Sequence, residues 1–244
     1  MELNSDAVSI RRKLGEDSFS PVDIFALISN IENTTLVYYP MSERISGMCT
    51  RVGNNTIIAI NSSMSLGRQR FSLAHELYHM YFHMGNEQFV CESAFSGNKP
   101  VVEREADIFA SYFLAPHETL RAFISSLNND KLTVEEIVKI EQYFGMSRKA
   151  TLFRLKKDGY NVFDEESDRI EHGVIRSATI LGYDDKLYKP TPVDRQYFTV
   201  FKYIEKVEQL KKKDIISNGK YEELLMDAYR FDIVYSIGGE DRYD

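Results

Sequence analysis

The sequence of 244 residues contains no tryptophan, two cysteines and no long apolar run. Two cysteines are too few for a network of disulfide bonds, which favours a reducing compartment. The apolar runs are far shorter than the roughly 20 residues that a membrane-spanning helix needs. The first residues, MELNSDAVSIRRKLGEDSF, also lack the apolar stretch that is typical of a secretion signal. We therefore expect a soluble, cytoplasmic protein.

An excess of positive charge is also missing. The chain has 30 Lys and Arg residues against 37 Asp and Glu residues, which gives a net charge of −7. Proteins that bind nucleic acid over one broad surface are normally basic, so this balance disfavours such a role. With 43% hydrophobic and 27% charged residues, the composition is that of a globular protein and excludes a wholly disordered one.

Two kinds of pattern follow one another along the first 160 residues and predict an α+β fold. β-branched and aromatic residues predict strands at 34–39, 47–52 and 56–60, the last two joined by a turn at residues 53–55. Apolar residues at helical spacing predict helices at 21–31, 67–84, 101–114, 117–127, 133–144 and 147–157. We expect a mostly helical core with a small antiparallel sheet.

The composition changes after Gly159. Residues 173–183, GVIRSATILGY, are typical of a strand, and two further helices are predicted near 198–213 and 219–230. We place a boundary near residue 160, which separates a first domain at 1–160 from a smaller α/β extension at 161–244. The residues of the extension indicate no chemistry.

The strongest motif is His-Glu-Leu-Tyr-His at residues 75–79, an HExxH pattern. Residues four apart on a helix project to the same side, so His75 and His79 can hold one metal ion. Neutral imidazole suits zinc, and Glu76 can take a proton from a water bound to the ion. The alternative is a buried helix whose histidines only satisfy local hydrogen bonds. We disfavour it because burying three such polar groups is unfavourable without a shared purpose.

A catalytic zinc needs a third protein ligand and an open position. No histidine stands six residues beyond His79, where the metzincin pattern requires one. His83 is one turn further on, and we favour a role in packing or in support of the ligands over ligation. The next predicted helix supplies three acidic residues, Glu103, Glu105 and Asp107. Helical geometry alone leaves the choice between Glu103 and Glu105 open.

Two segments that contain these residues resemble one known family. RFSLAHELYHMYFH at 70–83 and EREADIFASYFLAP at 103–116 are similar to the ImmA/IrrE metallopeptidases, whose pattern is an AHExxH helix followed by EAxxFAxxLLMP. The resemblance covers about residues 20–160. It implies a zincin-like core that hydrolyses peptide bonds with zinc. Family members typically cut a helix–turn–helix (XRE-like) repressor and so relieve repression, which implies such a repressor as the protein partner.

The resemblance also assigns roles to residues at the matching positions. It implies that His75 and His79 are zinc ligands and that Glu76 is the general base. It implies that Glu105, the residue directly before Ala106, is the third ligand. The endopeptidase that results is our main interpretation of the sequence.

A second interpretation begins from residues 133–157, which are typical of a helix–turn–helix pair. The second helix carries several basic residues, Arg148, Lys149, Arg154, Lys156 and Lys157. A DNA-binding regulator with a structural zinc would place such side chains in the major groove. We favour instead a pair that packs beneath the peptidase core with a solvated basic face, and we expect no direct nucleic-acid binding.

A third interpretation is a catalytically silent protein-binding module. The intact Glu76 disfavours it, because a protein that has lost its chemistry has little reason to keep a general base. Cys91 falls in the loop predicted between the two helices that carry the ligands. A thiolate there could occupy the open position of zinc and hold the enzyme latent, although we favour an ordinary buried or surface thiol.

Overall fold

The computed structural model describes residues 2–83, 89–92, 99–127, 131–163 and 173–235. The helices are α1 Glu2–Lys13, α2 Ile24–Ser29, α3 Leu66–Tyr78, α4 Val101–Leu114, α5 His117–Ser125, α6 Val134–Phe144, α7 Arg148–Lys157, α8 Val174–Ile180, α9 Lys202–Lys212, α10 Asn218–Asp227 and α11 Phe231–Val234. The strands are β1 Thr34–Tyr39, β2 Ile45–Val52, β3 Asn55–Asn61, β4 Phe89–Glu92 and β5 Phe198–Phe201. Within these ranges no helix combines the length and the apolar character that crossing a bilayer requires.

The five strands form one sheet in the order β4-β2-β3-β1-β5. β2 and β3 are the predicted hairpin, and Gly53 adopts a left-handed φ of 60° in its turn. β1 runs parallel to β3, and the other three pairs are antiparallel. The α+β class is confirmed, but the sheet is mixed rather than purely antiparallel. The reason is that the hairpin folds back so that β3, not β2, lies against β1.

α3 lies at the centre of the molecule, between the sheet and α4. Most of its residues are buried, polar ones included, because it packs against β2 and β3 on one side and α4 on the other. Gln69 shows how the buried polar groups are satisfied, since its amide donates to the carbonyl oxygen of Met64 at 2.6 Å. The HExxH motif therefore lies along an enclosed helix of the core and ends at the residue that follows it.

α1 is an element that the apolar pattern did not reveal. It packs along α4 and is held there by Arg11, whose guanidinium is fully buried. The guanidinium donates to the carbonyl oxygens of Phe113, at 2.6 Å, and of Asp17, at 2.7 Å. Arg11 shares the buried face of α1 with Ala7 and Ile10, so the apolar pattern along the helix is weak, which explains why the helix was not predicted.

Residues 174–180 form helix α8, so the strand predicted at 173–183 is wrong. The segment packs against α6, and the hydroxyl of Ser177 accepts a hydrogen bond from Arg148 at 3.1 Å. Tertiary contacts of this kind override the weak β preference of a short segment.

Residues after 160 take part in the same sheet as the first domain. β5 pairs with β1 in antiparallel register, and α9 contacts both β1 and β5. The boundary predicted near residue 160 stays a prediction, and the extension at 161–244 is described only at 161–163 and 173–235.

Candidate metal centre

The two histidines of the motif face one another at the C-terminal end of α3. Their Nε2 atoms are 3.1 Å apart, and their rings are 5.0 Å apart at 55°. Both side chains are buried. The predicted spacing of four residues on one helix therefore brings the two imidazoles to one point.

Glu103, in the first turn of α4, completes the group. One of its carboxylate oxygens lies 3.3 Å from Nε2 of His75, and the other lies 3.2 Å from Nε2 of His79. The imidazoles hold the pKa of Glu103 well below its usual range, against the effect of burial, which raises it. The carboxylate is therefore an anion that faces two nitrogen atoms.

Glu105, the third ligand that the family resemblance implied, is placed elsewhere. Its carboxylate accepts a hydrogen bond from the hydroxyl of Tyr78 at 2.9 Å. The physical reason is the rotation of α4. Glu103 and Asp107 are four residues apart and share the face of α4 towards α3, whereas Glu105 lies midway between them in the sequence and points in a different direction. The structure thus replaces Glu105 with Glu103 beside the imidazoles.

The spacing of these three groups fits a tetrahedral metal ion. Bonds of about 2.0–2.1 Å at tetrahedral angles place neighbouring ligand atoms about 3.3–3.4 Å apart. The three separations observed are 3.1, 3.2 and 3.3 Å. One oxygen of Glu103 is buried without a hydrogen-bond partner in the described ranges. Two nitrogen atoms and a carboxylate that converge in this way are suited to share a divalent cation.

Asp107 supports the first histidine from behind. Its carboxylate lies 2.9 Å from Nδ1 of His75, and its other oxygen accepts a hydrogen bond from Nζ of Lys99 at 3.0 Å. Burial alone would lower the pKa of His75, but the hydrogen bonds to Asp107 and Glu103 outweigh it and raise the pKa to about 9. A carboxylate behind a ligating imidazole fixes its tautomer and makes it a stronger donor to a metal.

Glu76 lies beside the imidazoles in a completely enclosed position. Neither of its oxygens has a hydrogen-bond partner of ordinary geometry among the described residues. Burial raises its pKa to about 7, although the His75 imidazole works in the opposite direction. A Cβ atom on Gly47 would come within 2.7 Å of its Oε1, so only glycine at that position of β2 leaves room for the carboxylate.

Cys91 belongs to strand β4 rather than to a loop, which corrects the sequence interpretation. Its Sγ is buried and lies with the ligand atoms of His75, His79 and Glu103 in a group whose members are all within 4.8 Å of one another. Burial raises the pKa of this thiol, and the carboxylates of Glu76 and Glu103 raise it further. The resemblance assigned no role to this thiol.

His83 is not among the residues of this group, and its role in packing or in support of the ligands stays a prediction. Residues 79–83 form a single wider turn of π type, which changes the direction of side chains beyond His79. The ring of His83 lies 5.0 Å from the ring of Tyr78.

The helical pair at 133–157 has its predicted form. Thr133 and Glu136 make the predicted capping box, and Gly145 ends α6 at a left-handed φ of 64°. Two of the basic residues are internal. Arg148 pairs with the buried Glu141, and Arg154 donates to the carbonyl oxygen of Ser111 at 2.8 Å. These two side chains hold the fold together and are not presented on a basic face.

Sequence reasoning missed two residues that shape the site, Gly47 and Lys99. Nothing near Gly47 in the sequence indicates that its strand passes beside Glu76. Lys99 precedes α4, and its pairing with Asp107 depends on how the chain enters the helix. A buried acidic residue in α4 requires a partner of opposite charge, and a search of the sequence for such partners could have indicated Lys99.

The comparisons with known proteins agree with this geometry. The model of the Peptidase_M78 family, described as the IrrE N-terminal-like domain, matches residues 22–156, more than half of the chain. Comparison with curated proteins gives no match. The matched region contains the HExxH helix, β4 and the start of α4, so it includes every residue of the metal group. The chain belongs to the Peptidase_M78 family of metallopeptidases, the ImmA/IrrE family.

Proposed function

We propose that the protein is a zinc-dependent endopeptidase with His75, His79 and Glu103 as metal ligands and Glu76 as the general base. The observation that carries the proposal is the convergence of three ligand atoms at 3.1–3.3 Å beside an enclosed carboxylate. Two imidazoles and one carboxylate form the ligand set of a well-known class of catalytic zinc sites, in which the fourth position stays open for water or substrate.

When bound, zinc activates a water molecule and polarises the carbonyl of the scissile bond. Glu76 accepts the proton of the attacking water and passes it to the leaving amine. A general base works best when its pKa is close to the working pH, and burial places that of Glu76 at about 7. Asp107 keeps Nε2 of His75 directed at the ion by holding Nδ1 from the other side.

The sheet offers a surface for an extended peptide beside this centre. β4 pairs with β2 on one side, and no strand covers its other edge in the ranges that the structure describes. An extended substrate can add to such an edge through main-chain hydrogen bonds. A peptide bound in this way passes Cys91 and the metal group with chain on both sides of the cleaved bond, which supports internal cleavage.

We extend the proposal to the substrate, a helix–turn–helix (XRE-like) repressor whose cleavage relieves repression. This part rests on the resemblance to the ImmA/IrrE family. Neither cysteine forms a disulfide bond and both are buried, in keeping with action in the cytoplasm, where thiols stay reduced.

The test is to incubate the purified protein and its Glu76→Gln variant with the repressor encoded beside its gene and to follow cleavage by mass spectrometry. The amide has nearly the shape of the carboxylate but accepts no proton. We expect cleavage to fall by about 10²–10⁴-fold, the usual effect of removing a general base. Zinc content should stay unchanged, because Glu76 is not a ligand.

The matched control is Glu118→Gln, the same change at an exposed carboxylate on α5. It should cleave at the rate of the unmodified protein. A Glu76→Gln protein that cleaves at that same rate contradicts the peptidase proposal.

A further inference from the structure

We propose that Cys91 is a fourth protein ligand of the metal and that its thiolate keeps the peptidase latent until it leaves the ion. The inference rests on the proposed zinc peptidase and adds a means of regulation to it. Zinc sites with four protein ligands are closed and structural, whereas catalytic sites keep one position free. A fourth ligand that can leave converts one kind of site into the other.

The position of the thiol is close to that of a ligand. Sγ of Cys91 lies within 4.8 Å of the ligand atoms of His75, His79 and Glu103. A zinc–sulfur bond of about 2.3 Å at a tetrahedral angle requires separations of about 3.5 Å. Sγ therefore needs to approach by at most about 1.3 Å, a small shift for a residue on a short strand at the edge of the sheet.

The register of the sheet directs Cys91 to this point. Cys91 lies directly opposite Gly47, and residues opposite one another in an antiparallel pair project to the same face. That face is the one on which Gly47 meets Glu76. Because Gly47 has no side chain, nothing from β2 separates the thiol from the centre. The pairing register shifts between Ile45 and Gly47, an irregularity of the kind that is common beside functional sites.

A second observation points to a ligand at the same place. Glu76 is completely buried, and both of its oxygens lack a hydrogen-bond partner of ordinary geometry in the described part of the chain. An enclosed carboxylate that the fold does not satisfy is unfavourable unless a charged group is held next to it. The thiol and this carboxylate approach the same point from the sheet and from α3.

The exchange of ligands needs no oxidant. On closing, the S–H bond of Cys91 breaks, a metal–sulfur bond forms, and the proton is released to solvent. On opening, the metal–sulfur bond breaks, water takes the vacated position, and the sulfur regains a proton. A peptide that adds to the edge of β4 contacts the strand that carries Cys91, so substrate binding is the event that can draw the sulfur away.

The test replaces zinc by cobalt and records the near-ultraviolet band of thiolate-to-cobalt charge transfer. We expect the full-length protein to show this band and Cys91→Ser to lose it. Cys49→Ser is the matched control, since Cys49 is a second buried thiol two residues from Gly47 on β2 and should leave the band unchanged. The zinc affinity of Cys91→Ser should fall by about tenfold or more. Loss of a residue that only supports a ligand has at least this effect, and loss of a ligand itself should not have a smaller one.

Repressor cleavage by the same three proteins completes the test. We call the closed site, in which the Cys91 thiolate is bound to the metal, the latch. It predicts that Cys91→Ser cleaves faster than the unmodified protein and that Cys49→Ser does not. If the cobalt form of the unmodified protein lacks the band, the latch is overturned. The peptidase proposal still stands in that case if the same protein cleaves the repressor and its Glu76→Gln variant does not. Absence of cleavage in Cys91→Ser alone overturns the latch and leaves the peptidase standing, whereas absence of cleavage in all three proteins overturns the peptidase.

Discussion

At the scale of single residues, the two carboxylates at the start of α4 have separate tasks. Glu103 faces both imidazoles, and Glu105 accepts a hydrogen bond from the hydroxyl of Tyr78. On the proposed function, a carboxylate whose oxygens converge on two nitrogen atoms contributes directly to metal binding. A carboxylate bonded to a tyrosine contributes only to the contact between α3 and α4.

Substitution of each carboxylate by its amide separates these tasks. Glu103→Gln should lose most of the bound zinc, because the neutral amide replaces an anionic ligand. Glu105→Gln should keep about one zinc per chain. Elemental analysis of the purified proteins measures both. Loss of zinc in Glu105→Gln with retention in Glu103→Gln would mean that α4 is rotated relative to the arrangement described above.

The sequence predicted His75, Glu76 and His79 because their relation is local, within one helical turn. Helical geometry left the choice between Glu103 and Glu105 open, and the resemblance implied Glu105, because the choice depends on the rotation of α4 against α3, which tertiary packing decides. Cys91 was assigned to a loop for the same reason. Its place beside the centre depends on pairing with a strand more than forty residues earlier in the chain.

At the scale of elements, the α6–α7 pair shows what local signals can predict. Thr133 and Glu136 form the capping box, and Ser147 caps α7 through a bond from the amide of Ala150. These caps are complete within four residues, so the sequence predicted the beginnings of both helices. The burial of Arg148 and Arg154 was not predicted, because their partners lie on other elements.

Gly145 joins these two helices and also contacts α3. At its left-handed φ, a Cβ atom would lie 2.5 Å from Nε of Arg70, which donates to the carbonyl oxygen of Gly145. Gly145→Ala should therefore lower the free energy of unfolding by at least about 2 kcal/mol, from backbone strain and a weakened hydrogen bond. Urea unfolding followed by circular dichroism measures this change.

Gly53→Ala is the control for backbone strain alone. Gly53 also has a left-handed φ, but nothing lies within 4 Å of the position of a Cβ atom. It should lose about 1–2 kcal/mol. An equal or smaller loss in Gly145→Ala would show that the contact with Arg70 does not stabilise the fold.

At the scale of the whole molecule, one sheet joins the matched family region to the residues beyond it. β5 lies at the edge opposite β4 and covers β1. The sequence could not predict this order, because strands that are distant in the chain pair through packing rather than through local pattern. The composition of the chain changes near residue 160, but the sheet also includes β5, which follows that residue in the sequence.

A chain ended after residue 160 should consequently be less stable than the full chain. Without β5, the edge of β1 is left unpaired, and unpaired edges promote association between chains. We expect a lower melting temperature and light scattering at micromolar concentration. A chain ended after residue 235 keeps β5 and serves as the control. If the 1–160 protein is monomeric and has the same melting temperature as the full chain, residues 1–160 are an independent domain and the predicted boundary is confirmed.

The position of both histidines on one helix has a consequence for how an ion and the fold depend on each other. On a regular helix His83 would lie about 12 Å along the axis from His75, too far to share an ion with it. In the wider turn at 79–83 it also lies outside the metal group. The carboxylate beside the two imidazoles comes instead from α4, across an interface. On the proposed function, bound metal clamps α3 to α4, so release of the ion and separation of the two helices become one cooperative event.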